Sequence, residues 1–131
     1  EQIKNISAKE NELRAMSAMV PEAIKILSGG PARLHEFGRL LGESWKLKRG
    51  LSSLITNQHT DEMYNAACAA GALGGKLLGA GGGGFMLVFA EPEYHAKIEE
   101  KLGKFLRVPF SFENEGSQVI FKVNNEPTYL S

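Results

Sequence analysis

The residues best suited to special chemistry lie in one short stretch, GGKLLGAGGGGFMLVFA at positions 74–90. Four consecutive glycines at 81–84 separate two apolar runs. One interpretation is a hairpin connection, whose glycines tolerate positive φ. The other is a loop of unhindered backbone N–H groups that lies against an anion. Because a two-residue hairpin turn needs only one or two glycines, the excess favours a functional loop.

Two nucleotide-binding motifs are excluded by the residues around this loop. GAGGGG at 79–84 formally satisfies G-x-G-x-x-G, but that motif must open a helix whose N-terminus faces a pyrophosphate. Here the loop runs directly into FMLVF at 85–89, an apolar and aromatic run that predicts a strand. A Walker A loop is also excluded, because Leu77 follows Lys76 where that motif requires serine or threonine.

The other side chains that often carry chemistry are scattered along the chain. His35, His59 and His95 have no partners at the spacing of zinc ligands and are expected at the surface, with His59 alone near a helix start close to the glycine loop. Cys68 lies among alanines and is expected to be a small buried residue. Asp61 is expected to stabilise a helix N-terminus, in a capping rather than a catalytic role. We therefore identify no metal site and no catalytic residue in this sequence.

Length and composition restrict the class of protein. The chain has 131 residues, enough for one domain with a modest core. Lysine plus arginine equals aspartate plus glutamate, 15 of each, so neither a nucleic-acid-binding surface nor an acidic tail is indicated. No apolar run approaches the roughly 18 residues of a membrane helix. The single cysteine favours a reducing compartment, and we expect a cytoplasmic protein.

The first half of the sequence reads as helical. Apolar residues at helical spacing predict a helix from about residue 3 to 28, which Pro21 should bend or divide. SGGP at 28–31 ends this helix, and Pro31 starts a second one that continues through Trp45. After a connector near 50–56, a third helix is predicted at about 58–70.

The second half changes to strand patterns. GKLLG at 75–79 and FMLVFA at 85–90 predict two strands, the latter buried on both faces. A fourth helix begins at 91–92. Alternating apolar residues then predict two more strands, RVPFSFE at 107–113 and SQVIFKV at 117–123, joined by a short loop. The order indicates an α+β fold, with helices covering a mixed sheet.

The glycine-rich stretch resembles the third conserved motif of the GHMP small-molecule kinases. That motif has a lysine, two or three further residues, G-A-G-x-G-G and an apolar strand. Residues 37–90 are similar to the sugar-kinase branch of this family, which includes heptose 7-phosphate kinases and fucokinase-type enzymes, and the similarity continues into VPFSFENEGSQVIF. The resemblance implies one C-terminal domain over 1–131. Its helical part covers about 1–70, and its strand-containing part, about 74–124, forms a small, predominantly antiparallel, four-stranded, ferredoxin-like sheet.

The resemblance also implies an activity. Kinases of this family transfer the γ-phosphoryl group of ATP to a small-molecule hydroxyl, with magnesium. In the heptose branch the acceptor is the anomeric hydroxyl of D-glycero-D-manno-heptose 7-phosphate. The family's P-x-x-x-G-L-G-S-S-A-type phosphate loop and its catalytic aspartate belong to an N-terminal ATP-binding domain, and this sequence contains no such segment. We therefore expect that domain to be absent, and the fragment alone to be inactive and without bound cofactor.

Candidate site residues follow from the match to the motif. In this family the active site lies in a cleft between the two domains. The loop that closes on the phosphate-bearing end of this cleft would consist of Gly79, Ala80, Gly81, Gly82, Gly83 and Gly84. Lys76 would either point to phosphate or form an ordinary salt bridge. Trp45 would stack on a sugar or pack in the core. Lys48 and Arg49 would bind a substrate phosphate or form a solvated charge cluster at a helix end.

Two alternatives remain open at this point. The acceptor could be fucose, galactose or another sugar instead of the heptose phosphate. The chain could instead be a non-catalytic α+β module whose glycine loop binds an anion. The partners expected for the kinase are a sugar or sugar phosphate and the missing N-terminal domain. Self-association through the exposed apolar inter-domain face is also expected, whereas nucleic acid and membrane are not.

Overall fold

The computed structural model describes residues 9–51, 55–79 and 84–118 and shows an α+β architecture. Its elements, in chain order, are helices α1 (Glu10–Ser28), α2 (Leu34–Leu51) and α3 (Gln58–Ala69), strands β1 (Gly74–Leu78) and β2 (Phe85–Phe89), and helix α4 (His95–Lys101). Short 3-10 turns lead into α2 and α4. The predicted order of three helices, two strands and a helix is therefore confirmed.

The helix ends agree with local capping signals. Helix α1 continues through Pro21, so the predicted division at that residue does not occur, and it ends at Gly29, whose N–H donates to the Ile26 carbonyl at 3.0 Å. Asn57 caps α3, since its Oδ1 accepts the Thr60 N–H at 2.9 Å. Within the three described ranges, none of the helices combines the length and hydrophobicity needed to cross a bilayer.

The two strands pair antiparallel, with Leu77 opposite Met86 and Leu78 opposite Phe85. The prediction that the second strand is buried on both faces is wrong. Phe85 is 62% exposed, and the rest of β2 is only half-buried. Directly paired residues share one face of a sheet, and neighbours along a strand alternate between faces. The face with Leu77 and Met86 contributes to the core, whereas the other face is covered by α2 at its Gly74 end and exposed at Leu78 and Phe85.

The later strand prediction fails in the described part of the chain. Residues 106–114 form no strand, and Phe112 is 91% exposed. Alternation marks a segment that can form a strand, but a strand exists only where a neighbouring backbone accepts its hydrogen bonds. Its predicted partner at 117–123 falls mostly on residues 119–123, outside the described residues. Of the four predicted strands, the described residues show the first two, which form a two-stranded sheet.

Helix α3 connects two clusters of buried side chains. The first cluster joins Trp45 of α2, Ile55, Tyr64 of α3 and Leu77 of β1. The second joins the small side chains at the end of α3 to α4 and β2, through Ala67, Ala70 and Ile98, with Val88 packed against them. Since α3 contributes to both clusters, its position is fixed from both sides.

Helix α2 and strand β1 approach each other at glycine. A β-carbon on Gly74 would overlap the Gly38 carbonyl oxygen and lie 2.6 Å from the Gly42 nitrogen. A β-carbon on Gly42 would lie 3.2 Å from the Gly74 α-carbon. Because the obstructing atoms belong to backbone, no side-chain rotation could relieve these contacts.

We expect Gly74→Ala to destabilise the fold. Overpacking typically costs about 1–3 kcal/mol, and backbone obstruction places this site at the upper end. Gly50→Ala is the matched control, because a β-carbon there meets nothing within 4 Å and alanine favours a helix by up to about 1 kcal/mol over glycine. Urea denaturation followed by circular dichroism measures both. Equal stability of the two variants would contradict the close approach.

The buried hydroxyl of Tyr64 makes the stability of the fold depend on pH. Burial raises its pKa from 10.0 to about 12, the nearby Cys68 thiol adds to the rise, and the positive charge of Arg49 opposes it. The folded protein therefore favours the neutral phenol.

We expect the free energy of unfolding to fall as the pH rises from about 10 to about 12. In that window the unfolded chain releases the Tyr64 proton while the folded chain retains it, so ionisation favours unfolding. Tyr64→Phe removes this contribution. Urea denaturation of both proteins across the window should show their stability difference constant below pH 10 and changing above it, whereas parallel curves throughout would refute the assignment.

Candidate functional site

The described end of the glycine loop lies beside a cavity of about 210 Å³. Its lining residues come from α3 and its cap, from β1 and from the start of β2: Asn57, His59, Thr60, Met63, Leu77, Gly84 and Met86. The N-terminal turns of α3 thus meet the core-facing side of the sheet where the glycine loop enters β2.

The cavity has an apolar floor. Leu77 and Met86 form it from the sheet, where they are directly paired across the two strands. Met63 completes it from α3, one turn after Thr60. Leu77 is buried and the two methionines are half-buried. Methionine side chains are flexible and polarisable, so this floor can adapt to the shape of a ligand.

The rim of the cavity is polar. Asn57 Oδ1 accepts two hydrogen bonds from Thr60, from its N–H at 2.9 Å and from its hydroxyl at 3.1 Å. The Asn57 amide NH₂ has no hydrogen-bond partner within the described ranges. The His59 ring lies edge-on to Phe105, with centroids 5.1 Å apart, and the Lys104 ammonium is 5.1 Å from the same Phe105 ring. Asn57 and His59 therefore present hydrogen-bonding groups at the cavity mouth.

The predicted phosphate loop is described only at its two ends. Gly79 has φ +100° and Gly84 has φ +110°, in the left-handed region that favours glycine. A β-carbon on Gly84 would also overlap the Leu78 carbonyl oxygen. Ala80, Gly81, Gly82 and Gly83 lie outside the described residues. The contact of the loop with phosphate stays a prediction.

Lys76 and Lys48 lie apart from the cavity lining. Lys76 precedes Leu77 on β1 and so points to the other face of the sheet, where it is paired with Leu87. Lys48 is in the last turn of α2 and is half-buried. Within residues 9–51, 55–79 and 84–118, neither lysine forms an ion pair.

Arg49 connects the end of α2 to the start of α3. Its Nη2 lies 3.0 Å from Asp61 Oδ1, and the Thr56 hydroxyl donates to the same oxygen at 2.8 Å. The predicted position of Asp61 in the first turn of a helix is correct, but Asn57 performs the capping. Asp61 instead holds α3 to α2, next to the rim of the cavity.

Trp45 is a core residue. Its side chain is 1% exposed and its ring is tilted against Tyr64, with centroids 6.5 Å apart. Its indole Nε1 is buried and finds no hydrogen-bond acceptor in the described part of the chain. In this structure Trp45 therefore has one of its two predicted roles, packing in the core. Stacking on a sugar would require the indole to become accessible, and that role stays a prediction.

The described lining of the cavity contains no lysine, arginine, aspartate or glutamate. The described ranges also contain no group of three or more histidine, cysteine, aspartate or glutamate side chains that could hold a metal ion. A magnesium site therefore cannot be assigned to the described residues of this chain. The geometry suits an uncharged ligand with an apolar side and hydroxyl or amide groups.

The sequence patterns missed most of this cavity. Asn57 precedes a predicted helix and is a preferred N-cap residue, so its position was accessible from capping rules. For His59 the sequence indicates a surface position near a helix start, which is where it lies, but no role in a cavity. Met63 and Met86 were ordinary apolar positions in the sequence, since their common role requires α3 and β2 to meet.

We expect Arg49 and Asp61 to be coupled in stability. A double-mutant cycle with Arg49→Ala and Asp61→Ala should give about 0.5–1 kcal/mol, because both side chains are partly shielded, 31% and 28% exposed. The control cycle uses Arg14 and Glu10, which are 77% and 61% exposed, and should give at most about 0.5 kcal/mol. Urea denaturation measures both cycles. Equal coupling in the two pairs would show that the Arg49 bridge does not hold the helices together.

Comparison with known proteins places the chain in a family. Residues 32–108, more than half of the sequence, match the model of the GHMP kinases C-terminal family. The D-glycero-alpha-D-manno-heptose 7-phosphate kinase of Campylobacter jejuni is 34% identical over 111 residues, which cover 82% of this chain and 32% of that enzyme. The bifunctional fucokinase/GDP-fucose pyrophosphorylase of Arabidopsis thaliana is 36% identical over 64 residues, covering 49% of this chain and 6% of that protein.

A solved structure shares the fold. The L. major mevalonate kinase, solved in complex with R-mevalonate, aligns with a TM-score of 0.59 at 20% identity, over 79% of this chain and 34% of that one. The chain spans about a third of the length of the Campylobacter relative. The family match shows that the chain belongs to the GHMP kinases C-terminal family, and the mevalonate kinase alignment shows that it shares the fold.

Proposed function

We propose that this chain is the substrate-side domain of an ATP-dependent sugar kinase that phosphorylates the anomeric hydroxyl of D-glycero-D-manno-heptose 7-phosphate. The observation that carries the proposal is the 34% identity to a heptose 7-phosphate kinase over 82% of the chain. An alignment of that extent cannot omit the middle of the sequence, so it includes the glycine loop at 79–84. A fucokinase activity is the second candidate, supported by the Arabidopsis relative.

The glycine loop has the properties that phosphoryl transfer requires. This chemistry depends on positioning the reactants and stabilising negative charge, with little covalent participation by the protein. Backbone without side chains can approach a phosphate closely, and the loop ends at Gly79 and Gly84 are anchored on a rigid pair of strands. We assign residues 79–84 to the phosphate-bearing end of the cleft.

The remaining parts of the site come from elsewhere in the kinase. The described lining of the cavity has no cation for a phosphate, and the described residues offer no magnesium site. Of the four candidate substrate-binding residues, Arg49 is engaged by Asp61 and Trp45 is buried, which leaves Lys48 and Lys76 as better candidates for contact with phosphate. ATP and magnesium would bind mainly to an N-terminal domain, and this domain by itself would be inactive.

The exposed end of the second sheet face, at Leu78 and Phe85, is the surface we assign to that N-terminal domain. Leu78 and Phe85 are exposed there and are directly paired, next to Lys76 and Leu87. Exposed apolar groups on a sheet face normally mark an interaction surface. An isolated domain would use the same face to self-associate.

The activity is tested by measuring ADP release from a full-length kinase that contains this domain, with ATP and magnesium. Heptose 7-phosphate, fucose and galactose are the first acceptors. Turnover on heptose 7-phosphate supports the proposal, whereas turnover only on fucose selects the second candidate. An absence of turnover on every acceptor refutes a sugar-kinase function and favours an anion-binding module.

We expect Gly84→Ala to lower kcat/KM for the sugar by at least about tenfold, which corresponds to about 1.4 kcal/mol of lost transition-state stabilisation. The new β-carbon would meet the Leu78 carbonyl oxygen at a backbone angle that alanine rarely adopts, so the loop must shift. Gly116→Ala is the control, since nothing lies within 4 Å of its β-carbon. Unchanged kcat/KM in the Gly84 variant would exclude this loop from the active site.

A further inference from the structure

We propose that the cavity beside Gly84 receives the uncharged ring of the acceptor sugar, and that Asn57 and His59 determine specificity by binding its hydroxyl groups. The inference rests on the proposed kinase function and adds to it a location for the acceptor and two residues that recognise it.

The size and floor of the cavity fit a six-membered ring. An apolar protein cavity of about 150 Å³ is large enough to bind benzene, and this one has about 210 Å³. Met63, Leu77 and Met86 provide an apolar surface for the C–H groups of a pyranose. Burying that surface against the floor removes apolar area from water on both sides.

The rim offers hydrogen bonds that the described contacts leave unused. Asn57 Oδ1 accepts both of its hydrogen bonds from Thr60. The amide NH₂ of Asn57 therefore points away from Thr60, and its two N–H donors have no partner among the described residues. His59 can donate or accept through its ring nitrogens, and Phe105 supports its ring from one side. These two residues match the hydroxyl groups of a sugar.

The lining disfavours other parts of the reactants. A phosphate group would be buried against a lining that includes no lysine or arginine among the described residues, and burying its charge is costly without a paired cation. A nucleotide base gains affinity by stacking on aromatic rings, and the described lining contains no aromatic ring other than the imidazole of His59. The phosphates and the base are therefore assigned to other parts of the cleft.

The test measures acceptor and ATP kinetics separately in the full-length kinase. Asn57→Asp keeps an oxygen that caps α3 but removes the amide donors, and His59→Ala removes the ring. Each variant should raise the acceptor KM about fivefold to tenfold, the loss expected for one hydrogen bond, and leave the ATP KM unchanged. His95→Ala, on α4 and outside the cavity lining, is the matched control and should change neither KM.

A second comparison tests which part of the acceptor enters the cavity. His59→Ala should weaken a sugar and its phosphorylated form by the same factor, because the cavity is assigned to the ring. A loss confined to the phosphorylated sugar would overturn the inference. An increase in the ATP KM would overturn it as well, since it would place the nucleotide in the cavity.

The outcomes separate this inference from the proposed function. If the wild-type kinase phosphorylates a sugar and both variants keep its acceptor KM, the inference fails and the kinase function stands. If the wild type phosphorylates no sugar, the kinase function fails, and saturation-transfer NMR with the same sugars decides the inference. Binding by the wild type that is lost in both variants then supports it, and an absence of binding refutes it.

Discussion

Helix α2 lies against strand β1 so closely that Gly74 touches the backbone of Gly38 and Gly42, and much of the domain depends on this contact. Side chains at these positions would hold helix and strand apart. The short separation brings Trp45, one turn beyond Gly42, into contact with Tyr64 and Leu77, and so joins α2, α3 and β1 in one cluster. The end of α2 then lies where Arg49 reaches the first turn of α3. A backbone contact at one end of the sheet thereby sets the position of the helix that builds the cavity.

Helix α3 serves the core and the candidate site with different parts of its length. Its first turns provide the polar rim and part of the apolar floor, while its last turn packs against α4 and β2. Tyr64, between these regions, contributes to the core with its ring and carries a hydroxyl whose pKa is raised by burial. His59 stands on a helix that is packed on two sides and Asn57 caps that helix, so the backbone of both rim residues is held before any ligand binds. Such preorganisation reduces the entropy lost on binding.

Under the proposed function, the distribution of charge indicates which parts of the reactants this domain would bind. Arg49 is neutralised by Asp61, and Lys76 points to the face of the sheet opposite Leu77. The described lining of the cavity includes none of these charged side chains. A site of this kind can hold the body of a sugar and orient its hydroxyl groups. Under the proposed function, the charges that bind and activate a triphosphate would belong to the N-terminal domain.

The sequence by itself determined the features that depend on neighbouring residues. Helical periodicity and the residues after the connector placed α3 at 58–70, within one residue of its observed end at Ala69, and the glycine loop and its motif indicated the family. The half-open face of β2, the exposed coil at 106–114 and the meeting of Asn57, Met63 and Met86 were decided only by the tertiary structure. Capping and periodicity act over a few residues and can be read along the chain. Strand pairing and cavities depend on which distant segments meet, and local sequence patterns do not specify that.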